Sequence, residues 1–373
     1  VCTYPTGSNL IPATPGPYYS YKEWDVDADC TPDAYFDASE GDGIEAEVLK
    51  AIAEILKRAA SGTSLSVLTS STTGDGAVYQ AYFFPEEFDL ISGSVNQVRW
   101  TGYIQGLWVD TFGNLREDTT NDGKMVYDQD DIIETCVDSF SQAKFIRYAS
   151  TTAGTKVSGP AKTCDSDGVD LREMKGVWEG GRKLAKRDLT AKPRKLFTWV
   201  DLDNDGEVDA NEQKDFVVGG AGMSAAQWQP YLQGTATGTF TAANIINFVH
   251  GTAVTNMRNR TKTIPGESGT YVWRLGDIVN STPTLVGPPQ ERFDVLYGDQ
   301  GYRKYAQRWK NRRLTVYVGA NDGVLHAFNG GYSHRGDDPS TTSVVEHGYY
   351  TTGPTANDSA KPDLGEELWG FIP

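Results

Sequence analysis

The sequence lacks long apolar runs and has few residues of the types that usually mark catalytic, zinc or nucleic-acid sites. No stretch approaches about 18 consecutive apolar residues, so we predict no membrane-spanning segment. His and Met occur only four times each, and 34 Lys and Arg against 50 Asp and Glu leave a net charge of −16. Such an acidic chain repels phosphate backbones, and we therefore expect no nucleic-acid partner.

Cysteine is also scarce, and its four occurrences show no C-x-x-C spacing, which argues against a zinc site. The four residues lie in polar, turn-rich surroundings, which favours two disulfides over buried core thiols. Sequential pairing would join Cys2 to Cys30 and Cys136 to Cys164, each across 28 residues, while two other pairings remain open. The alternative is a cytosolic protein with four free thiols.

Composition and pattern predict a mainly β protein with inserted helices (α+β) that includes a partial β-propeller. Forty Gly, 17 Pro and 11% aromatic residues indicate many turns and half-buried sheet surfaces. Residues 1–62 combine an acidic linker with an amphipathic helix at 44–60, and residues 63–270 form a β-rich middle domain with helices. Residues 271–373 contain short strands at regular intervals, which is typical of a propeller blade. Since the chain starts at Val1 and stops after about one blade, we expect a fragment of a larger protein.

Local patterns predict the individual elements. Strands are expected at 77–84, 98–109, 145–148 and 294–298, and at 367–372. An Asn-Asp-Gly turn between two β-rich runs predicts a hairpin at 313–328. Helices are expected at 172–189, 211–218 and 242–256.

The sharpest motif spans residues 201–212 and has the spacing of an EF-hand calcium loop. Calcium takes about six to eight hard oxygen ligands, alternate acidic side chains point into one concavity, and Gly206 permits a sharp reversal. A polar surface turn is the alternative, but five acidic groups at these offsets would repel one another without a cation. We expect the loop to join a strand at 196–200 to a helix that begins near Asn211. The predicted ligands are Asp201, Asp203, Asp205, Asp209 and Glu212 by side chain and Glu207 by its backbone carbonyl.

A second loop that begins at Asp118 fits the same pattern less completely. Acidic or amide residues and a glycine occupy the early positions, but Gln129 stands where the bidentate carboxylate belongs. A calcium site and a plain polar turn are both compatible with this pattern. The candidate ligands are Asp118, Thr120, Asp122, Asp130 and the backbone carbonyl of Lys124.

Catalytic patterns are scarce. The sequence contains no H-E-x-x-H, no G-x-S-x-G and no phosphate-binding loop, and we therefore expect no enzymatic activity. His326 alternates with Val324 and Phe328 along a predicted strand. This spacing favours a core or sheet histidine over a functional one.

Four segments of the chain together resemble the PilC/PilY tip-associated proteins of type IV pili, whose C-terminal region is a calcium-binding β-propeller. These segments are Tyr271-Val272-Trp273-Arg274-Leu275-Gly276-Asp277-Ile278-Val279-Asn280-Ser281-Thr282-Pro283, Leu296-Tyr297-Gly298-Asp299, Val316–Asn329 and Glu367–Pro373. The resemblance implies a secreted, non-enzymatic adhesion and assembly module at the pilus tip or outer cell surface. Its partners would be minor pilins and a host or abiotic surface whose chemistry the sequence does not identify.

Two other functions are compatible with parts of the sequence. The run from Tyr317 to Phe328 also resembles a blade motif of pyrroloquinoline quinone dehydrogenases, but the chain has no vicinal cysteine pair and too few blades to enclose that cofactor. A passive spacer in an extracellular filament is the third interpretation. The leading hypothesis predicts Ca²⁺ as the cofactor and an extracellular location.

Overall fold

The structure is a computed structural model that describes residues 76–91, 94–232, 235–289, 291–341 and 345–373. The predicted acidic linker, the helix at 44–60 and the cysteines at positions 2 and 30 lie outside the described residues. The chain divides into two compact units. Among the described residues, those from 88 to 96 belong to the first unit and all the others to the second. The fold of the second unit is described here, and the predicted division at residues 62 and 270 stays a prediction.

Seventeen strands and six helices occupy the described ranges. The strands are β1 Gly76–Ile91, β2 Ser94–Val109, β3 Leu115–Arg116, β4 Lys124–Met125, β5 Ile132–Val137, β6 Ala143–Tyr148, β7 Val169–Asp170, β8 Trp178–Glu179, β9 Leu196–Trp199, β10 Gln213–Asp215, β11 Thr261–Lys262, β12 Tyr271–Val272, β13 Thr284–Val286, β14 Leu314–Ala320, β15 Val324–Arg335, β16 Gly348–Thr351 and β17 Glu367–Ile372. The helices are α1 Cys164–Asp167, α2 Gly180–Lys186, α3 Ala225–Leu232, α4 Ala242–His250, α5 Phe293–Leu296 and α6 Gln300–Trp309, with a 3-10 turn at Leu171–Glu173.

The predicted fold class is confirmed, because strands hold 35% of the residues and helices 16%. One sheet has the order β1-β2-β3-β5-β6-β7, with β8 also paired to β2. A second has the order β10-β9-β17-β15-β14-β13, with β16 and β4 joined through β15. Within the second sheet, β13, β14, β15 and β17 pair antiparallel in succession, as the four strands of a propeller blade do. No closed barrel forms among the described residues, which is consistent with a partial propeller.

The first sheet is buried on both faces, and this explains why its long strands show no polar alternation. Successive strand residues point to opposite faces. In β2, Ile104 and Trp108 enter one hydrophobic cluster, whereas Tyr103 and Leu107 enter the other. The first cluster also contains Val316 and other side chains of the second sheet, so the two sheets share one core.

A third hydrophobic cluster joins helices α3 and α4 to the end of the second sheet. Trp228 of α3 and Ile246 of α4 are buried together with Leu196 of β9 and Phe216. The indole N–H of Trp228 donates a hydrogen bond to the Val217 carbonyl at 2.8 Å. Both helices therefore pack on the β9–β10 hairpin, which carries the first candidate calcium loop.

Four of the local predictions are wrong in part or entirely. The helix expected at 172–189 is confined to α2, because Val177 and the strand β8 pair with β2 before the helix begins. The helix expected at 242–256 ends at His250, where Gly251 adopts a left-handed φ of 97° and caps it. Residues 213–215, inside the helix expected at 211–218, form strand β10, and residues 294–296, inside the strand expected at 294–298, belong to helix α5.

Tertiary contacts account for the change from helix to strand after residue 211. The backbone of β10 pairs antiparallel with β9, and the next residue, Phe216, is buried against Trp228 at a ring-centroid distance of 5.3 Å. Helix propensity is a weak preference that such packing overrides. The hairpin predicted at 313–328 and the strand predicted at 367–372 are confirmed as β14–β15 and β17.

One predicted disulfide is confirmed. The sulfur atoms of Cys136 and Cys164 are bonded, with Cα atoms 5.8 Å apart. The bond ties β5 to the short helix α1. Closing a loop of 28 residues stabilises the fold by about 3.6 kcal/mol in the chain-entropy model.

A chain of buried charges holds the second sheet together. The Arg194 guanidinium forms two hydrogen bonds of 2.7 Å with the Glu367 carboxylate, whose Oε1 also lies 2.8 Å from His326 Nδ1. The other ring nitrogen of His326 lies 3.2 Å from the Asp322 carboxylate. Burial alone would lower the pKa of His326, but Asp322 and Glu367 raise it to about 9. The predicted core position of His326 is confirmed.

A second buried charge cluster lies beside the first sheet, where Lys262 is only 2% exposed. Its ammonium group contacts the Glu87 carboxylate and donates to the Tyr103 hydroxyl at 2.5 Å. Arg172 pairs with the same carboxylate at 3.0 Å. Burial would raise the pKa of Glu87, but Lys262 and Arg172 lower it to about 2. The carboxylate is therefore charged and fully compensated inside the protein.

The raised pKa of His326 predicts a stability that falls at alkaline pH. Its ion pairs contribute fully below the unfolded pKa of about 6.5 and are lost as the pH rises through the folded value of about 9. We expect the free energy of unfolding to fall by roughly 2 to 4 kcal/mol across this range, and the slope to disappear in His326→Gln. Urea denaturation at several pH values measures how the free energy of unfolding changes with pH in the wild type and in the variant. Equal slopes in the two proteins would contradict the prediction.

The second cluster predicts that removing one partner costs more than removing both. Lys262→Met leaves Glu87 and Asp170 to share Arg172, so one negative charge becomes uncompensated, and we expect the free energy of unfolding to fall by about 3 kcal/mol. Adding Glu87→Gln removes the uncompensated charge and should restore at least half of that loss. Urea denaturation of the two variants at neutral pH provides the comparison. A double variant no more stable than Lys262→Met would disprove this account of the cluster.

Candidate calcium-binding loops

The first candidate loop connects β9 to β10 and closes a β-hairpin. Trp199 pairs with Gln213 across the hairpin, and the Val200 N–H donates to the Glu212 carbonyl at 3.0 Å. Within the described residues the flanking elements are strands, whereas an EF-hand has two helices. The loop is therefore held by hydrogen bonds between two strands, on the hairpin against which α3 and α4 pack.

The structure brings the first three predicted ligands together. Carboxylate oxygens of Asp201, Asp203 and Asp205 lie within 4.8 Å of one another, and no other three His, Cys, Asp or Glu side chains in the described ranges come as close. Asp201 accepts hydrogen bonds from the N–H groups of Asn204 at 2.5 Å and Gly206 at 3.0 Å. These bonds curl the backbone around the carboxylates.

The reversal depends on two residues with positive φ. Asn204 has a φ of 62° and Gly206 a φ of 78°, in the left-handed region that favours asparagine and glycine. The resulting turn aims three acidic side chains into one exposed concavity. Carboxylates at this separation repel one another, and hard oxygen ligands in such a cluster are what Ca²⁺ prefers. The donor set therefore fits calcium.

Glu212 lies at the base of the loop rather than with the three clustered carboxylates. Its side chain is 1% exposed and accepts hydrogen bonds from the N–H groups of Asp209 at 2.9 Å and Leu202 at 2.7 Å, and from the Trp199 indole at 3.1 Å. These donors lower the pKa of Glu212 and keep it ionised. In this arrangement Glu212 fixes the two ends of the loop, while the side chains of Asp209 and Glu207 are exposed.

The second candidate loop brings two predicted ligands into the interior. Asp118 and Asp130 are each 1% exposed. Asp118 accepts hydrogen bonds from the N–H groups of Asp122 at 3.0 Å and Gly123 at 2.8 Å. Asp130 accepts from Thr119 and Val126 at 2.9 and 2.8 Å. The two carboxylates thus fix the backbone of this loop much as Asp201 fixes the first.

Electrostatics distinguish the second loop from the first. Burial raises the pKa of Asp118 to about 6, and burial together with the nearby Asp118 raises that of Asp130 to about 7. A bound cation would favour the ionised forms. The Lys124 ammonium is directed elsewhere, with Asp338 at 3.0 Å and Glu346 at 3.2 Å. The Thr120 and Asp122 side chains are exposed, so the loop offers two buried carboxylates and a more open remainder.

The sequence did not predict the two buried charge clusters of the fold. Arg194, Glu367 and Asp322 converge on His326, and Lys262 meets Glu87, although the partners lie up to 175 positions apart in the chain. The only sequence signal for either cluster was the alternation of His326 with Val324 and Phe328. It predicted that His326 is buried but not which residues it pairs with.

Comparison with known proteins gives matches to short parts of the chain. It is 38% identical over 91 residues to the "Type IV pilus biogenesis factor PilY1 homolog" of Xylella fastidiosa, and 43% identical over 58 residues to "Type IV pilus biogenesis factor PilY1" from each of two strains of Pseudomonas aeruginosa. These segments cover 24% and 15% of this chain and 7% and 5% of the relatives. No family model and no solved structure matches the chain.

Two of the four segments that resemble PilC/PilY proteins, Val316–Asn329 and Glu367–Pro373, lie at the centre of the second sheet. They contribute to strands β14, β15 and β17. Across the described ranges, every helix is too short or too polar to cross a membrane. The sequence resemblance and the matches to curated proteins agree. Together they support a PilY1-like family for this chain.

Proposed function

We propose that the chain is a calcium-binding, non-enzymatic adhesion and assembly module of a type IV pilus. The PilY1 relatives are named as type IV pilus biogenesis factors, and the resemblance to them supports a role of the same kind. The chain covers a small part of these relatives, so their wider activity enters here as part of the proposal. Calcium is the cofactor, and minor pilins at the pilus tip are the partners.

The observation that carries the proposal is the convergence of Asp201, Asp203 and Asp205 in a loop clamped at its base by Glu212. A cation there would offset the repulsion between the three carboxylates and fix the loop on its hairpin. At a free calcium concentration of about 100 times the dissociation constant, binding would stabilise the fold by about 2.7 kcal/mol. The role of the ion at this loop would then be structural.

The proposal includes an extracellular position, which the Cys136–Cys164 disulfide supports. The Cys136–Cys164 disulfide requires an oxidising compartment in most organisms. Extracellular modules can also use weak calcium sites, with dissociation constants of about 10⁻⁴ to 10⁻³ M. Adhesion to a host or abiotic surface would then take place on a module that external calcium keeps folded. The second loop, around Asp118 and Asp130, is proposed as a further calcium site.

Calcium binding is tested most cleanly at Asp203. Within the described residues the Asp203 carboxylate accepts no hydrogen bond from the loop, so Asp203→Asn removes one of the three clustered negative charges and leaves the loop bonding in place. We expect calcium affinity at this loop to fall by about tenfold or more, and the calcium-dependent rise in melting temperature to shrink with it. Isothermal titration calorimetry and thermal denaturation with and without chelator measure the two effects.

Glu207→Gln is the matched control, because it removes one charge from the same loop at an exposed side chain outside the cluster. Its calcium affinity should change by less than about twofold. A calcium ion that binds Asp203→Asn with unchanged affinity would belong to the second loop, and Asp130→Asn should weaken its binding. Unchanged stoichiometry and affinity in Asp203→Asn would defeat the assignment of the first loop.

The pilus role is tested in the organism that makes the chain. Deleting its gene should reduce surface piliation and attachment, and the wild-type gene should restore both. Immunogold labelling should place the protein at pilus ends. Complementation with the Asp203→Asn gene then shows whether the calcium loop is needed for that role. Normal piliation and attachment in the deletion strain would contradict the pilus function while leaving calcium binding intact.

A further inference from the structure

The segment from 291 to 313, which we call the aromatic-basic insertion, interrupts a pair of hydrogen-bonded strands. Val286 of β13 pairs with Thr315 of β14, so the chain leaves and re-enters the same hairpin. Hairpin strands are normally joined by about two to five residues. The insertion contains helices α5 and α6 and is far longer than the strand pairing needs.

The insertion leaves its apolar side chains on the surface. Neither α5 nor α6 contains a buried residue. Val295, Leu296 and Tyr297 are 62%, 68% and 78% exposed, and Tyr305 and Trp309 are 41% and 38% exposed. Exposed apolar residues that are contiguous in this way mark an interaction surface.

The aromatic rings of the insertion form one continuous surface. The ring of Phe293 lies 5.2 Å from that of Tyr302, which lies 5.9 Å from that of Tyr305. The Arg312 guanidinium sits over the rings of Trp309 at 4.7 Å and Tyr305 at 5.6 Å. Tyr302, Tyr305 and Trp309 recur along one face of α6, and cations border that face.

The insertion is positively charged in a chain of net charge −16. Residues 300–313 contain no acidic side chain, and they carry Arg303, Lys304, Arg308, Lys310, Arg312 and Arg313. Arg303 approaches Asp294 at 3.7 Å. Lys304, Lys310 and Arg313 form no ion pair with any acidic residue in the described ranges. Their charge therefore remains available to an anionic partner.

We propose that the aromatic-basic insertion docks on the surface of an anionic lipid bilayer. Basic side chains beside exposed aromatic and aliphatic ones are the composition of helices that lie in a membrane interface. An acidic glycan would be attracted by the same charges and could stack on the rings. It would gain little from Val295 and Leu296, whose aliphatic side chains gain most where acyl chains cover them. The inference does not depend on calcium binding or on the pilus function.

Vesicle sedimentation of the full chain tests the proposal, with the same free calcium concentration in every sample so that all comparisons are made on the calcium-loaded fold. We expect partition into vesicles with about 30% phosphatidylglycerol in phosphatidylcholine, weak partition into pure phosphatidylcholine, and a decline as salt is raised. Val295→Gln with Leu296→Gln should weaken the partition by about fivefold or more while leaving the melting temperature unchanged, since both residues are exposed.

A charge-matched pair of variants separates local from general electrostatics. Lys304→Gln, Lys310→Gln and Arg313→Gln together should weaken the partition by about tenfold or more. The control removes three exposed lysines elsewhere, by Lys175→Gln, Lys195→Gln and Lys361→Gln, and should keep the wild-type partition.

Several outcomes would overturn the proposal. Equal losses in the two triple variants would assign the attraction to net charge alone. Binding to heparin without binding to vesicles would assign the insertion to an acidic glycan. A dimer in sedimentation velocity that Leu296→Gln dissociates would assign the face to a second copy of the chain. Binding to no vesicle also refutes the proposal.

Discussion

The bidentate pair between Arg194 and Glu367 is the interaction on which the second sheet depends. It places the start of β17 beside Arg194, two residues before β9, and the same carboxylate is hydrogen-bonded to His326 of β15. Each charge is buried and is compensated by the next, so removing one leaves another without a partner. The parallel pairing of β17 with β9 and the antiparallel pairing of β17 with β15 are thereby fixed together.

The candidate calcium loop is supported by this arrangement. Arg194 lies two residues before β9, and β9 leads directly into Asp201. The hairpin that carries the loop is therefore fixed on one side by the ionic cluster and β17, and on the other by Trp228 and Ile246. The Glu212 carboxylate then fixes the loop by accepting hydrogen bonds from the N–H groups of Leu202 and Asp209. A loop held in this way needs little reorganisation to gather three carboxylates, and weak calcium sites benefit from that preorganisation.

Charge is distributed unevenly between the interior and the surface. Two compensated clusters, around Glu87 and around Glu367, lie inside the protein, and acidic residues dominate the chain as a whole. Against that background, the insertion between β13 and β14 is basic and carries exposed aromatic side chains. A single molecule thus presents acidic loops suited to cations at one place and a cationic surface suited to anions at another. The two features lie on separate elements of the second sheet and can act independently.

The sequence alone determined those features of the structure that depend on local chemistry. The Asn-Asp-Gly turn predicted the β14–β15 hairpin, and the cysteine pattern included the Cys136–Cys164 bond. The Asp spacing predicted five converging carboxylates, of which Asp201, Asp203 and Asp205 come together. Each of these signals involves near neighbours or strict chemical requirements. Tertiary structure alone decided that residues 213–215 pair as a strand, that Glu212 turns to the base of the loop, and that His326 meets Glu367. These outcomes depend on groups that are distant in sequence and become neighbours only when the sheets pack, so no local pattern encodes them.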